Sequence, residues 1–527
     1  MMTAHDLLDE PLLSWRDERR RRSMTTLPGL IAKLASGELA DFPRARAHQF
    51  HPWSMFLTQL AAIALHRAGK SDPRLAEVDW RTLLLDLTDG AHEPWCLVVE
   101  DPSKPAFMQP PVPEGTIATW SRSDHPDNVD VLVTSKGHDV KSSLVSADFI
   151  EGWILALATL QTMQGYPGRG YNRVSRMKGG YGSRPRVGAS SGHSPAGRFT
   201  RDVRVLLGSW NRLIERGYAT DGVALVWTEA WDGKSTLAMS QLSPHFVEVC
   251  WRVRIEHSHG GLVCAYTTTQ NRRCMEEIEN GDVGDPWIPI ERGGGGALTV
   301  GRRGFHYQLL TRVLFEGEFE PAEAQVINPA DPDPVYLLAS VMARGQGKTE
   351  GLHERELALP SGARRRLGHP DTRAAMGVRA TNRVEQAKKM RSKVLSPALK
   401  SLALSESVVE DRFDAKVLLP ALERLALDKS VVEDRFDAQV DEVFFDDLFS
   451  SLDQADAEAQ LAWDRRLDEL AWKELQHAID RCCVPAARWY EAVSKAESTF
   501  RANRSKEFPT LVASLNTARS QEAHDGH

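Results

Sequence analysis

The sequence predicts an α+β protein, with a large mixed α/β N-terminal domain followed by a C-terminal helical bundle. Helical and strand-like patterns alternate in the first two thirds of the chain, whereas the chain after Arg373 is helix-forming almost to its end. A linker-like stretch, PSGARRRLGHP at 360–370, separates the two regions. The 527 residues, 42% hydrophobic and 26% charged, exclude a collagen-like, disulfide-scaffold or wholly disordered protein and allow about two to four domains.

The N-terminal region carries both kinds of element. Apolar residues at three- and four-residue spacings predict an amphipathic helix over 52–65, and a second helix is expected over 147–163, capped by Ser146. A third helix is expected over 201–217. The runs at 223–228 and 246–255 are rich in β-branched and aromatic residues and predict antiparallel strands. The apolar runs in 79–99 fit either strands or a buried helix.

The C-terminal region shows a helical stripe of leucine, alanine and isoleucine over 461–479, which continues in 487–501 after Pro485. A helical bundle is the economical architecture for this pattern. A tandem duplication also lies here. PALKSLAL at 397–404 is repeated as PALERLAL at 420–427, and SVVEDRFDA, which begins at Ser407, is repeated without change from Ser430. Two copies are too few for a solenoid, so we interpret the repeat as a local duplication that lengthens a helix or inserts an acidic segment.

The cysteines and the apolar runs indicate a cytoplasmic chain. None of the 6 cysteines has C-x-x-C spacing, so neither a zinc site nor a disulfide framework is predicted, and reduced structural thiols are expected. The N-terminus lacks the order of a signal peptide. The longest apolar stretch, at 153–160, falls far below the roughly 20 residues that span a bilayer, so no membrane association is expected.

A glycine-rich basic stretch over 165–188 is the main candidate for function. It holds six cations and no acid: Arg169, Arg173, Arg176, Lys178, Arg184 and Arg186. Such cations repel one another unless a polyanion or an acidic surface lies nearby, which favours nucleic-acid contact over a solvated turn. The glycines permit a close backbone approach, and Tyr166, Tyr171 and Tyr181 are candidates to stack on bases.

Catalytic motifs are incomplete. GQGKT at 345–349 resembles a phosphate-binding loop, but Met342 stands where that motif needs glycine. His138 and Asp139 lack further ligands, and the HERE stretch at 353–356 lacks a second histidine, so a surface helix is expected there. We therefore expect no catalytic residues, no metal and no cofactor.

Six segments together resemble one known family. They are PAFMQ at 105–109, VLVTSKGHDVK at 131–141, LQTMQGYPGRGYNRVSRMKGGYGSRP at 160–185, VEVCWRVRI at 247–255, GDPWIPI at 284–290, and the stretch from FFDDL to AESTFR at 444–501. In order and spacing the chain resembles the large subunit of the type I-E CRISPR Cascade complex, the CasA family. The resemblance implies a mixed α/β domain over 1–365 and a four-helix bundle over 366–527.

The resemblance also implies a function and partners. Members of this family are not enzymes: they recognise the protospacer-adjacent motif in double-stranded DNA, help to open the duplex and hold the displaced strand, in antiviral defence. The implied partners are the CRISPR RNA-containing Cascade backbone, its small subunits, target double-stranded DNA and an effector helicase-nuclease that docks on the subunit. Guide pairing then reads most of the target, while protein reads the short motif.

The resemblance places four DNA-contacting features on this chain. The glycine loop falls on Gly165, Gly168, Arg169, Gly170, Tyr171, Arg173, Arg176 and Lys178, and a mobile loop on Lys136, His138 and Lys141. The wedge falls on 344–348, with Arg344 at its start and Gln346 or Lys348 at its tip. A basic hairpin falls on Asn271, Arg272 and Arg273, where one of the two arginines would replace a lysine finger.

Two features depart from the family pattern, and two other functions remain open. The tryptophan-isoleucine-proline start is not reproduced around 11–15, and the cysteine cluster of some members is missing. The main alternative is a metal-dependent nuclease or another phosphoryl-transfer enzyme that uses the Lys348 loop. A further alternative is a scaffold whose basic loop meets an acidic partner, such as the duplicated acidic segment of the same chain.

Overall fold

The computed structural model describes residues 4–131, 150–259, 261–315, 317–327, 331, 334–345, 348–407, 429–481 and 486–525. The chain divides into two compact units. The first unit comprises 1–305 and 317–360, and the second comprises 306–316 and 361–527. The short segment 306–316 therefore belongs with the C-terminal helices, although the chain returns to the first unit after it. The predicted α+β class is confirmed.

The first unit combines six α-helices with thirteen strands among its described residues. The helices are α1 (Leu27–Ser36), α2 (Ala47–Arg67), α3 (Glu77–Asp86), α4 (Ile150–Met163), α5 (Pro195–Gly208) and α6 (Trp210–Arg216). The strands are β1 (Leu13–Arg16), β2 (Arg22–Thr25), β3 (Ser121–Ser123), β4 (Arg186–Ser190), β5 (Val223–Leu225), β6 (Leu242–Val247), β7 (Arg252–Ser258), β8 (Gly261–Thr267), β9 (Ile290–Glu291), β10 (Gly296–Ala297), β11 (Phe319–Glu320), β12 (Val335–Gly345) and β13 (Lys348–Leu359).

The strands form five small sheets among the described residues. Strands β1 and β2 pair antiparallel, β5 and β6 pair parallel, and the three-stranded sheets have the orders β10-β9-β11, β13-β12-β4 and β3-β8-β7. The hairpin of β12 and β13 is the longest pairing, from Val335 opposite Leu359 to Gly345 opposite Lys348. A register shift between Ala343 and Arg344 distorts its end. Such irregularities redirect side chains near the end of a hairpin.

Helices α2 and α4 run through the main core of this unit. On α2, every residue from His51 to Leu65 except Ser54 is buried, and on α4 every residue from Trp153 to Met163 is buried. The helix expected over 52–65 is thus present but buried on all sides rather than amphipathic. A helix enclosed on all sides is typical of the centre of a large domain. Among the described residues, no helix combines the length and the apolar character needed to cross a bilayer.

Several local predictions differ from the structure. The helix expected over 201–217 is two helices, α5 and α6, which meet at Ser209, and α5 begins earlier because the Ser194 hydroxyl accepts a hydrogen bond from Gly197 N. The undecided stretch 79–99 holds the end of α3 and one short 3₁₀ turn. Of the antiparallel strands expected over 223–228 and 246–255, β5 instead pairs parallel with β6, whereas β7, which begins inside the second run, pairs antiparallel with β8.

Two further predictions near the end of this unit were wrong. The HERE stretch lies in β13 rather than on a helix, because its residues pair with β12 along the hairpin. The linker-like stretch contains the helix α8 (Ser361–Leu367), which begins the main part of the second unit. The first error took a run of polar residues for a helical surface, and the second took polar composition as evidence against regular structure.

The second unit is helical throughout its described residues. Besides α8 it contains α7 (Tyr307–Leu314), α9 (Pro370–Lys389), a π-helical turn (Met390–Leu395), α10 (Ser396–Ser407), α11 (Lys429–Ser450), α12 (Asp456–Arg481), α13 (Ala486–Glu507) and α14 (Pro509–Asp525). Tyr307 of α7 packs on Phe444 of α11 with ring centroids 4.9 Å apart. The second copy of the duplicated sequence begins α11, and 408–428 lie outside the described residues.

Candidate nucleic-acid interface

The glycine-rich segment begins where α4 ends and closes on itself at its base. The carbonyl of Gln164 accepts a hydrogen bond from Val174 N at 2.9 Å, and the carbonyl of Met163 accepts one from Arg184 N at 3.1 Å. Two neighbouring residues at the end of α4 therefore hold both the middle and the end of the segment. We call residues 165–183 the glycine loop.

The three glycines assigned to this loop differ in what surrounds them. A Cβ atom at Gly165 would lie 2.3 Å from the carbonyl oxygen of Gly182. A Cβ atom at Gly170, whose φ is +86°, would lie 2.8 Å from Cγ2 of Thr268. A Cβ atom at Gly168 would meet no atom within 4 Å. Gly165 and Gly170 thus serve internal packing, while Gly168 presents open backbone.

The loop is held against the end of β8. The amide of Thr269 donates to the carbonyl of Gly170 at 2.8 Å, and the amide group of Asn172 donates to Oγ1 of Thr269 at 2.8 Å. Tyr171 stacks on Trp251 with ring centroids 4.2 Å apart and an interplanar angle of 25°. One face of the Tyr171 ring is therefore already covered by protein, which differs from the expectation of a free stacking platform.

Arg169 is the most available cation of the loop. It is exposed and has no ion-pair partner among the described residues. Lys178 is about one third exposed, donates to the carbonyl of Gly295 at 3.0 Å and lies 3.4 Å from the Glu291 carboxylate. Arg173 donates to the carbonyls of Met177 and Glu279, both at 2.8 Å, and burial lowers the pKa of its guanidinium.

Three other arginines of the basic stretch are buried and paired inside the protein. Arg176 lies 2.6 Å from the Glu248 carboxylate and 2.9 Å from that of Asp285. Arg184 lies 2.5 Å from Asp285, and burial lowers its pKa to about 10. Arg186 similarly lies 2.6 Å from the Asp202 carboxylate.

These pairs correct the expectation that the six cations need an external anion. Half of them are compensated by carboxylates that lie outside the basic stretch in the same chain. Arg176, which the sequence assigned to DNA contact, is 3% exposed and presents no charge at the surface in this structure. A buried cation is tolerated only when it is paired and hydrogen-bonded, which is what Glu248 and Asp285 provide.

The wedge region is described in part. Arg344 is at the end of β12, partly buried, and donates from Nη1 to Oε1 of Gln164 at 2.8 Å. Burial lowers the pKa of this guanidinium, an effect that the Asp130 carboxylate opposes. Gln346 and the side chain of Lys348 lie outside the described residues, as do Lys136, His138 and Lys141 of the mobile loop.

The segment assigned to a basic hairpin does not project a cation. Arg272 is 3% exposed and donates to the Glu276 carboxylate and to the carbonyls of Glu276 and Ile278. Arg273 is 4% exposed and donates to the carbonyls of Ser235 and Ala230. Asn271 donates to the carbonyl of Lys234 at 2.7 Å. Both guanidinium groups are used to fix the turn in this structure, so neither projects as the expected finger.

A pocket of about 520 Å³ lies beside the glycine loop. Arg173, Lys178 and Arg272 line it together with the carboxylates of Glu276 and Glu279. The mixed charge sets this pocket apart from the uniformly basic groove expected of a phosphate-binding surface. The open backbone at Gly168 and the free Arg169 are therefore the stronger candidates for DNA contact.

Polar side chains of α2 form hydrogen bonds with residues near the proposed interface, and the sequence did not single them out. His48 Nε2 and Gln49 Nε2 lie 2.7 and 2.6 Å from the Asp130 carboxylate. Gln59 donates to the carbonyls of His245 and Phe246. The imidazole of His51 lies 3.4 Å from the Arg184 carbonyl, and burial lowers its pKa to about 3. The available signal was the presence of these polar residues within a mainly apolar helix, with three residues from His48 to His51 and eight from His51 to Gln59.

The nuclease alternative finds little support in the described residues. The one cluster there with metal-ligand chemistry is Asp6, Asp9 and His92. Asp9 is engaged by Arg81 through two hydrogen bonds at 2.6 and 2.9 Å, and Asp6 by His92 at 2.8 Å. Exposed acidic groups of this kind form ordinary surface ion pairs.

Comparisons with known proteins agree with this fold over nearly the whole chain. No protein-family model and no curated protein sequence matches the chain. Among solved structures, CasA from Thermus thermophilus is similar at a TM-score of 0.66 and 13% identity, with 96% of this chain and 100% of that chain covered. The CRISPR-associated protein Cse1 from Acidimicrobium ferrooxidans is similar at 0.64 and 15% identity, covering 97% and 99%.

A chain of a CRISPR RNA-guided surveillance complex is also similar, at a TM-score of 0.57 and 15% identity, covering 94% of this chain and 99% of that chain. The resemblance predicted from the sequence is thus confirmed at the level of the fold: this chain has the fold of CasA, also called Cse1. At such low identity the shared property is the arrangement of the backbone.

Proposed function

We propose that this chain is the non-catalytic large subunit of a CRISPR RNA-guided surveillance complex and recognises the protospacer-adjacent motif in double-stranded DNA. The observation that carries the proposal is the likeness of fold to CasA and to a chain of such a complex over 94–97% of this chain. The likeness includes both units, so it supports a role for the whole chain rather than for one shared domain.

The glycine loop supplies the reading surface in this proposal. The open backbone at Gly168 can approach the floor of a minor groove, where a bulky side chain would be excluded. Arg169, exposed and unpaired among the described residues, is placed next to it to contact a phosphate. The minor groove distinguishes base pairs weakly, so recognition combines backbone proximity with shape and phosphate contacts.

The hairpin of β12 and β13 supplies the wedge. Its end faces the base of the glycine loop, since Arg344 contacts Gln164. Gln346 or Lys348 at the tip would enter beside the motif and offset the cost of unstacking, about a few kcal/mol per base step. Lys136, His138 and Lys141 complete the proposed DNA contacts from the mobile loop.

The proposed partners follow from the same role. They are the CRISPR RNA-containing backbone and small subunits of Cascade, the target duplex, and a helicase-nuclease that docks after the displaced strand is exposed. The proposed setting is antiviral defence in the cytoplasm.

The test is an electrophoretic mobility-shift measurement on guide-loaded complex assembled with and without this chain. The probes are matched duplexes that carry either a library of flanking motifs or a scrambled flank. Motif-dependent binding that requires this chain is the expected result. Equal binding without the chain would overturn the proposal, and hydrolysis of the probe by the isolated chain with a divalent metal would favour the nuclease alternative.

A further inference from the structure

Three chain segments that lead to the proposed DNA contacts meet in one small cluster inside the first unit. Val131, Met163 and Met342 are each at most 2% exposed and pack together, with Leu352 against them. Val131 is the last described residue before 132–149, Met163 ends α4 just before the glycine loop, and Met342 lies in β12 close to the tip of the hairpin. We call these residues, together with Asp130, Gln164 and Arg344, the junction.

Polar residues lie close in sequence to each member of this apolar cluster, and two of them bind each other. Arg344, two residues after Met342, donates to the side chain of Gln164, the residue after Met163, at 2.8 Å. Asp130, the residue before Val131, accepts from Gln49 and contacts His48, and its charge acts on Arg344. Each of the three chain segments therefore contributes one apolar and one polar residue to the junction.

The backbone of Gln164 also forms a hydrogen bond with the glycine loop. Its carbonyl accepts from Val174 N at 2.9 Å and so closes the first half of the glycine loop, which contains Gly168 and Arg169. A shift of Arg344 that moved the Gln164 side chain would thus be transmitted to the backbone of the loop. Packed side chains and hydrogen bonds of this kind carry coupling between neighbouring elements.

We infer that Arg344 is a positioning residue that acts through Gln164, so that the end of β12 and the glycine loop act as one coupled unit in DNA binding rather than as separate contacts. The inference rests on the proposed function and deepens it. It assigns Arg344 a role different from direct DNA contact: its guanidinium is used inside the protein, whereas Arg169 is exposed and has no ion-pair partner among the described residues. The coupling would make motif recognition depend on both elements at once.

A double-mutant cycle tests the coupling. Arg344→Met and Gln164→Met each remove the hydrogen bond while retaining the length of the side chain. Loss of a hydrogen bond to a charged group is expected to lower the ratio of motif to scrambled-flank affinity by about tenfold in each single variant. The double variant is expected to lose about the same tenfold, because both changes remove one interaction. A loss of about a hundredfold, or no loss in the singles, would overturn the inference.

The salt dependence separates positioning from direct contact. A residue that contacts a phosphate reduces the slope of log affinity against log salt by about one when it is removed. Arg344→Met is expected to leave this slope unchanged, and a reduction by about one would overturn the inference. Arg204→Met removes an exposed cation on α5 and is the matched control for loss of charge.

Conservative variants guard against simple misfolding. Gln164→Glu keeps an acceptor at the same position, and it is expected to retain the motif preference that Gln164→Met loses. If both variants lose the preference equally while the complex still assembles, the acceptor does not matter and the inference fails. Complex that lacks this chain is measured in parallel. Motif preference in the absence of this chain would refute the proposed function itself. Additive losses in the double variant would instead refute only the coupling between Arg344 and Gln164.

Discussion

Arg184 lies 2.5 Å from Asp285, so the last part of the glycine-rich segment is anchored by an ion pair with a residue that is 101 positions later in the chain. Arg176 reaches the same carboxylate at 2.9 Å. One buried aspartate therefore fixes two points of the segment that carries the proposed interface. This relationship separates the cations that build the loop from those that are free to bind a ligand.

Replacement of Asp285 by alanine is expected to destabilise the first unit by about 3 to 5 kcal/mol, because it leaves two buried guanidinium groups with less compensation. Thermal or urea unfolding of the full chain measures the effect. The matched control is Glu291→Ala, which removes a partly exposed carboxylate that pairs with Lys178 and is expected to cost less than about 1 kcal/mol. Equal losses in the two variants would show that Asp285 has no special anchoring role.

Replacement of Gly168 by glutamine is expected to abolish motif-dependent DNA binding while the complex still assembles. A side chain there has space, so the fold is retained, but it would block the backbone from a groove. The φ of Gly168 is +156° and disfavours a side chain, so Gly115→Gln, at φ +64° and also with no atom near its Cβ position, is the control for backbone strain. Mobility-shift titration measures both variants.

Gly170→Gln is expected to behave differently from Gly168→Gln. A Cβ atom there lies 2.8 Å from Thr268, so the substitution should lower the unfolding temperature of the chain as well as DNA binding. Identical behaviour of the two variants in both measurements would contradict the division between packing and open glycines.

Replacement of Arg169 by alanine is expected to weaken binding to motif and scrambled duplexes by similar factors. It should also reduce the salt slope by about one, because the side chain is exposed and contacts backbone phosphate in the proposed function. Arg272→Ala is the comparison, since its guanidinium is buried and should leave the salt slope unchanged. A change of motif preference without a change of slope would instead place Arg169 at a base edge.

Glu151 predicts a pH dependence of stability. Its side chain is 4% exposed and accepts from Ser14 N and Oγ at 2.9 and 2.8 Å, and burial raises its pKa from 4.5 to about 7. The folded state therefore binds a proton that the unfolded state has released between these two values. The contribution of Glu151 to stability is full below pH 4.5 and is lost as pH rises towards 7, by at most about 3 kcal/mol.

Glu151→Gln is expected to remove this pH dependence, because the amide keeps an acceptor for Ser14 and never ionises. The difference in unfolding temperature between variant and parent should be smallest at pH 4 and should grow in favour of the variant up to pH 8. Glu100→Gln, which replaces an exposed carboxylate, is the control. A parent chain that is as stable as the variant at pH 8 would contradict the assignment.

Sequence reasoning succeeded where the pattern was local. The helices α2, α4 and α12 follow from apolar spacing, and the α+β class follows from the change of texture along the chain. The family resemblance was visible in the order of its segments, and the solved structures bear it out at the level of fold. Sequence reasoning was less successful for 353–356 and 361–367, where polar residues form part of a strand and a helix without a regular apolar spacing.

The sequence by itself determined that glycines and cations concentrate between α4 and β4, since composition and order are local properties. Only the tertiary structure decided which of them are available. Glu248 and Asp285 bury Arg176 and Arg184, the turn after β8 uses both Arg272 and Arg273, and Arg169 remains exposed. The physical reason is that a cation is buried only where a carboxylate or a set of carbonyls compensates it. For Arg176 and Arg184 those carboxylates come from residues 72 to 109 positions away along the chain, so no local pattern reveals them.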